Sequence, residues 1–124
     1  MSTVLATGIY NEKREYEVVI SNLKKDVSQR GASMYVFNCD IILAKSKDEK
    51  VVDRRIVYKS GETRMNEVKD ALIGYVADKL AKEGTSVPYV TEQTLLDTVK
   101  KDKVALKADV YRSDRGSLVV SLLY

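Results

Sequence analysis

Residues 60 to 67 read SGETRMNE and stand just before a run with apolar residues three and four apart. Arg64, Asn66 and Glu67 therefore fall in the first turn of a predicted helix. The first N–H groups of a helix lack internal partners and lie at the positive end of its dipole. Arg64 adds a planar fork of donors, and Asn66 adds an amide able to read a base edge or a ribose. The group can hold a phosphate or a nucleotide. The same residues also suit a solvated first turn, with Glu62 and Glu67 complementing the dipole, and Glu67 could offer a carboxylate to a metal.

A second cluster is YRSDRG at 111 to 116. Arg112 and Arg115 converging on one phosphate, with Tyr111 stacked on a base, would form a nucleotide clamp. A polar turn with Asp114 paired to an arginine is the plainer alternative. Lys24, Lys25 and Arg30 fall in a polar stretch, and Arg54 and Arg55 on a strand. Adjacent strand residues face opposite sides, so only one of Arg54 and Arg55 can join other ligands. Lys24 and Arg55 are candidates for a second anionic site, or ordinary solvated surface. Tyr89 stands just before the second helix and is a further stacking candidate.

The rest of the composition narrows the chemistry. The 124 residues contain no histidine, so the commonest general base and zinc ligand are missing. The one cysteine, Cys39, lies in an apolar run and is expected to be a reduced core thiol, consistent with a cytoplasmic setting. No glycine-rich phosphate loop, Cys/His zinc pattern or nucleophilic triad occurs. A net charge of +3 permits a phosphate-bearing partner. Coating a nucleic acid usually goes with a larger basic excess on one face, so that partner is compatible but not favoured. No apolar run reaches membrane-spanning length, and the first residues lack the pattern of a signal peptide.

These residues must be positioned by a single domain of ordinary globular composition, 44% hydrophobic and 31% charged. TVLATGIY, EYEVVIS, SMYVFNCDIILAK and KVVDRRIVYK read as strands, with NLKKDVSQRGA as a polar loop. Tyr35, Phe37, Cys39, Ile41 and Leu43 alternate onto one face. Met65, Val68, Leu72, Val76 and Leu80 form a helical stripe over about 62 to 83, capped by Thr63 or Ser60 and ended by Gly84. VPYV reads as a short strand. Thr91 caps a second helix over about 91 to 101, and KVALKADVYR and SLVVSLLY form a terminal hairpin. The order predicts an α+β domain: a largely antiparallel sheet with two helices on one face. SLVVSLLY is apolar enough to require burial, either in the sheet or against a second subunit.

Two resemblances add to this reading. The order EVVISN, MYVFNCDIILAK, KVVDRRIVYKSGETRMNEVKDAL, VPYVTEQTLLDTV resembles the ribonuclease H-like fold over roughly residues 16 to 112. That resemblance places Asn22 where the family has its first-strand aspartate, Glu67 at the helix glutamate, and Glu92 at the aspartate after the short strand. Asn22 removes a bridging charge that two-metal cleavage needs, which implies a non-catalytic version.

In length, strands-then-helix order, RMNE and the two arginines of YRSDRG, the chain also resembles the phage Thoeris anti-defence sponge proteins. These bind cyclic ADP-ribose signals, or in some members cyclic oligonucleotides, between protomers and do not degrade them. The resemblance implies a homo-oligomer in the infected bacterial cytoplasm, without cofactor or resident metal. Arg112 and Arg115 would hold phosphates, Arg64 and Asn66 phosphate or ribose, and Tyr89 or Tyr111 the base. The competing expectations are a metal-dependent nuclease using Glu67 and Glu92 with Asp26 or Asp40, and a protein-binding inhibitor acting through its apolar last strand.

Overall fold

The computed structural model describes residues 2–84 and 89–123. It is an α+β fold with the element order β1 (Ser2–Leu5), β2 (Arg14–Val27), β3 (Ser33–Lys45), β4 (Glu49–Ser60), α1 (Glu62–Lys82), α2 (Glu92–Lys101), β5 (Val104–Arg112) and β6 (Leu118–Leu123). One six-stranded sheet has the order β1-β4-β3-β2-β5-β6. Every pair is antiparallel except β1 with β4. No helix among the described residues is long and apolar enough to cross a membrane.

The alternating runs decide which face is buried. Tyr35, Phe37, Cys39 and Ile41 of β3 lie inward beside Val18 and Ile20 of β2. Val104, Leu106, Ala108 and Val110 of β5 continue that layer, and Val120 and Leu122 of β6 complete it. The helices cover this face, α1 with Met65, Val68, Ala71, Leu72 and Val76, α2 with Leu95 and Val99. Burial pushes the Cys39 thiol up to about 12, so it is an inert core group.

Four local expectations are corrected. The stretch after Ser21 is not a loop, because β2 continues to Val27 beyond a bulge between Ser21 and Lys24. Asn22 takes up the bulge at φ 52°, a left-handed conformation that asparagine tolerates, and the shifted phase buries Leu23. The cap of α1 is Gly61 at φ 91° with no side-chain hydrogen bond, so neither Thr63 nor Ser60 fills that role. Residues 6–10 leave the sheet after a strand of only four residues. In VPYV, Tyr89 and Val90 belong to no strand, and Val87 and Pro88 lie outside the described residues.

Thr91 does cap α2, its hydroxyl accepting from the N–H of Thr94 at 3.2 Å. Thr91→Ala is expected to cost about 1 kcal/mol, the usual worth of such a cap, in a denaturant titration. An unchanged midpoint would mean that the cap is redundant with the packing of Leu95 and Val99.

Candidate functional site

The site arises from curvature. Strands β4 and β6 stand four places apart in the sheet order, yet α1 packs against both. The sheet therefore coils around its apolar face until these two strands approach each other. β1 covers the outer edge of β4 only over Glu49–Val52. Beyond it, no strand among the described residues pairs with that edge, nor with the outer edge of β6.

A cleft of about 770 Å³ fills the seam. Five consecutive residues of β4, from Arg55 to Lys59, line it, as do four of β6, from Leu118 to Ser121. Consecutive strand residues point to opposite faces, so only a space along the strand edges can touch all of them. The carbonyl of Val52 faces β1, accepting from Ala6 N–H at 2.9 Å. By strand alternation, the peptide groups of Arg54, Ile56 and Tyr58 face the same edge and hence the cleft.

Four of the sequence-predicted residues come together here: Arg55, Arg64, Tyr111 and Arg115. They arrive from β4, the first turn of α1, the end of β5 and the β5–β6 turn. Arg64 and Arg115 are exposed and have no carboxylate partner among the described residues. Arg55 is fixed by Asp53, to which its Nε and Nη2 each donate at 3.0 Å. Arg54 points the other way and forms a forked pair with Asp40, so one member of the Arg54–Arg55 pair joins the site.

The other four candidates lie elsewhere. Arg112 turns back to its own hairpin, donating through Nη1 to the Gly116 carbonyl at 3.1 Å. The two arginines of YRSDRG therefore do not converge, because Arg115 lines the cleft while Arg112 is held by its own hairpin. Asn66 points into two neighbouring grooves, one against Leu122 and Leu123, the other beside Lys25, Lys69 and Glu92. Lys24 lines a groove between β2 and α2 with Gln93, Asp97 and Lys100, so it shares no site with Arg55. Tyr89 is 72% exposed and lines none of these grooves.

Two residues of the cleft, Lys59 and Tyr58, went unrecognised in the sequence. Lys59 reaches its wall with a side chain only 9% exposed, and its Nζ lies 3.7 Å from Glu67 Oε2. Burial pushes its ammonium below the usual lysine range, Glu67 opposes that shift, and Arg64 adds to it. The signal was present. The inward face of β4 reads Asp53, Arg55, Val57, Lys59, directly opposite Ile41, Cys39, Phe37 and Tyr35. Charged residues at three of these four inward positions are costly unless they serve a site or pair. Tyr58, 60% exposed, adds an aromatic ring to the opposite side of the same edge.

The carboxylates expected for a nuclease are dispersed. Glu67 latches α1 onto the β6 edge, accepting from Ser121 Oγ at 2.9 Å and Leu122 N–H at 3.0 Å. Glu92 accepts from the Tyr35 hydroxyl at 2.5 Å and from Lys25 Nζ at 3.0 Å. The Tyr35 hydroxyl foremost, then Lys25, hold its carboxyl below the ordinary range. Asp26 accepts from the N–H of Val27, and Asp40 binds Arg54. Among the described residues, no three carboxylate or thiol side chains gather where they could hold a metal ion. No protein-family model and no curated protein matches this chain.

Proposed function

We propose that the protein captures an anionic, nucleotide-type signalling molecule in the β4–β6 seam and holds it without turnover. The observation that carries this reading is the convergence of Arg55, Lys59, Arg64 and Arg115 with Tyr58 and Tyr111 around one cleft. Its volume of about 770 Å³ falls within the range of roughly 300–1,000 Å³ usual for small-molecule sites. Arginine forks suit phosphate oxygens, free edge N–H groups add donors, and tyrosine faces suit a base. Cyclic ADP-ribose compounds and cyclic oligonucleotides have this chemistry.

The reading includes self-association. Ile56 and Tyr58 are each 60% exposed at the rim of the cleft, and a second copy would cover them while completing the pocket wall.

Filtration of the protein from a mixture of such compounds, followed by heat release and mass spectrometry, tests the proposal. The expected result is recovery of an intact cyclic nucleotide or ADP-ribose compound in near-stoichiometric amount. Retention of none of them, together with no heat in calorimetry, would overturn it. Recovery of a cleaved product would replace capture with catalysis.

A further inference from the structure

We infer that Lys59 is a carbonyl-trapping amine, and that the seam cleft captures phosphorylated aldehydes or ketones as a reversible imine on its Nζ. This inference rests on the reading of the cleft as an anion site and names a covalent step within it. Lys59 lines the cleft from β4 with a side chain nine-tenths buried. Its ammonium makes one ionic contact among the described residues, to Glu67 at 3.7 Å, which is beyond hydrogen-bond reach. Glu67 is already engaged through its other oxygen by Ser121 and Leu122. A ligand in the cleft would compete for the amine with this one long contact alone.

Burial in the cleft wall favours the neutral, nucleophilic form of this amine. Burial disfavours the ammonium first, Glu67 on α1 works to retain it, Arg64 on the same helix works against it, and Cys39 of β3 adds a smaller effect that retains it. A lysine attacks only as its neutral amine, and desolvation beside another cation is how such lysines are activated.

The step balances without an oxidant or reductant. Lys59 Nζ gives up a proton, with Glu67 Oε2 the nearest acceptor, and its lone pair attacks the carbonyl carbon. The new C–N bond becomes a C=N bond as the former carbonyl oxygen leaves as water. Arg64 and Arg115 would hold the phosphate. A sugar qualifies when its anomeric carbon is free, because it then opens to an aldehyde. Linear ADP-ribose and ribose 5-phosphate both carry that group, whereas a compound closed at that carbon does not.

The full-length chain would be incubated with pyridoxal 5′-phosphate at neutral pH, reduced with borohydride and mapped by peptide mass spectrometry. Lys59 is expected to be labelled severalfold faster than any exposed lysine, because burial in the cleft wall favours its neutral amine, the form that attacks. Pyridoxal without its phosphate should lose that preference. Repeating the trapping with ribose 5-phosphate and with ADP-ribose separates a sugar phosphate from a nucleotide as the better substrate. Labels spread over exposed lysines with Lys59 unmodified would overturn the inference.

Calorimetry of Lys59→Arg and of the unmodified protein with ADP-ribose keeps the two readings distinguishable. Binding without trapping sinks the imine and leaves the anion site standing. Neither binding nor trapping of ADP-ribose sinks the imine, and the anion site then stands or falls on the cyclic compounds.

Discussion

Asp53→Ala is expected to lower the unfolding free energy by about 3–5 kcal/mol, the usual cost of breaking a buried ion pair by removing one partner. Asp53 is 4% exposed. Its carboxylate accepts from Gly8 N–H at 2.9 Å, the Tyr10 hydroxyl at 2.6 Å, and Arg55 Nε and Nη2 at 3.0 Å each. These bonds tie residues 8–10 across the end of the curled sheet, where the Tyr10 carbonyl also accepts from the N–H of Arg112. Removing the carboxylate leaves the buried Tyr10 hydroxyl without its acceptor and the half-buried Arg55 without its counter-charge. Urea titration followed by tyrosine fluorescence would measure the loss, and a change below about 1 kcal/mol would show that the network contributes no more than an ordinary hydrogen bond.

The same carboxylate gives this stability a pH dependence. Burial acts to raise the Asp53 pKa, but the Arg55 fork, the Tyr10 hydroxyl and the Gly8 N–H together hold it below the ordinary value. A depressed folded-state pKa means that the unfolded chain binds the proton more readily in acid. The contribution is therefore fully present above the unfolded carboxylate value of about 3.9. It is lost as pH falls through the lower folded value. Asp53→Ala should be less acid-sensitive than the parent over that window, by the amount that this one carboxylate contributes.

Much of the fold was legible because most strands alternate cleanly. Tyr35 to Ile41 and Val104 to Val110 each announce one buried face, and the stripe from Met65 to Val76 announces α1. Residues 22–27 were illegible because the bulge at Asn22 changes the phase, so Leu23 reads as part of a polar stretch. The site was legible by residue type and less so by place. Arginine at a helix start and in a hairpin turn pointed to Arg64 and Arg115, and both line the seam cleft. Their meeting depends on the coiling of the sheet, which brings β4 to β6 and which no local pattern encodes. The same coiling leaves Lys24 and Tyr89 outside the seam, beside α2. Lys59 was legible in principle, as a lysine in the inward phase of a strand.

Arg64→Ala combined with Arg115→Ala is expected to weaken binding of the captured anion on the order of 10²-fold or more. Hydrogen bonds to charged groups contribute about 1.5–3 kcal/mol each, so one such bond lost per arginine already reaches that factor. The two side chains come from different elements and meet only through a shared ligand, so their effects should be close to additive unless the ligand shifts. Both are exposed and have no carboxylate partner among the described residues, so stability should change by less than about 0.5 kcal/mol. This separates lost binding from lost folding. Arg64→Lys should recover little, because an ammonium cannot reproduce the planar fork. The controls come from the same sequence motifs. Arg112 is committed to the Gly116 carbonyl and Lys24 lies in the groove beside α2, so alanine at either position should alter affinity less than about twofold, a free-energy change within the ordinary scatter of surface substitutions. Calorimetry on all four variants decides the matter. If Arg112→Ala or Lys24→Ala weakens binding as much as the seam arginines do, the ligand sits outside the β4–β6 cleft. If only Arg64 and Arg115 matter, the curvature that joins two free sheet edges is what makes the site.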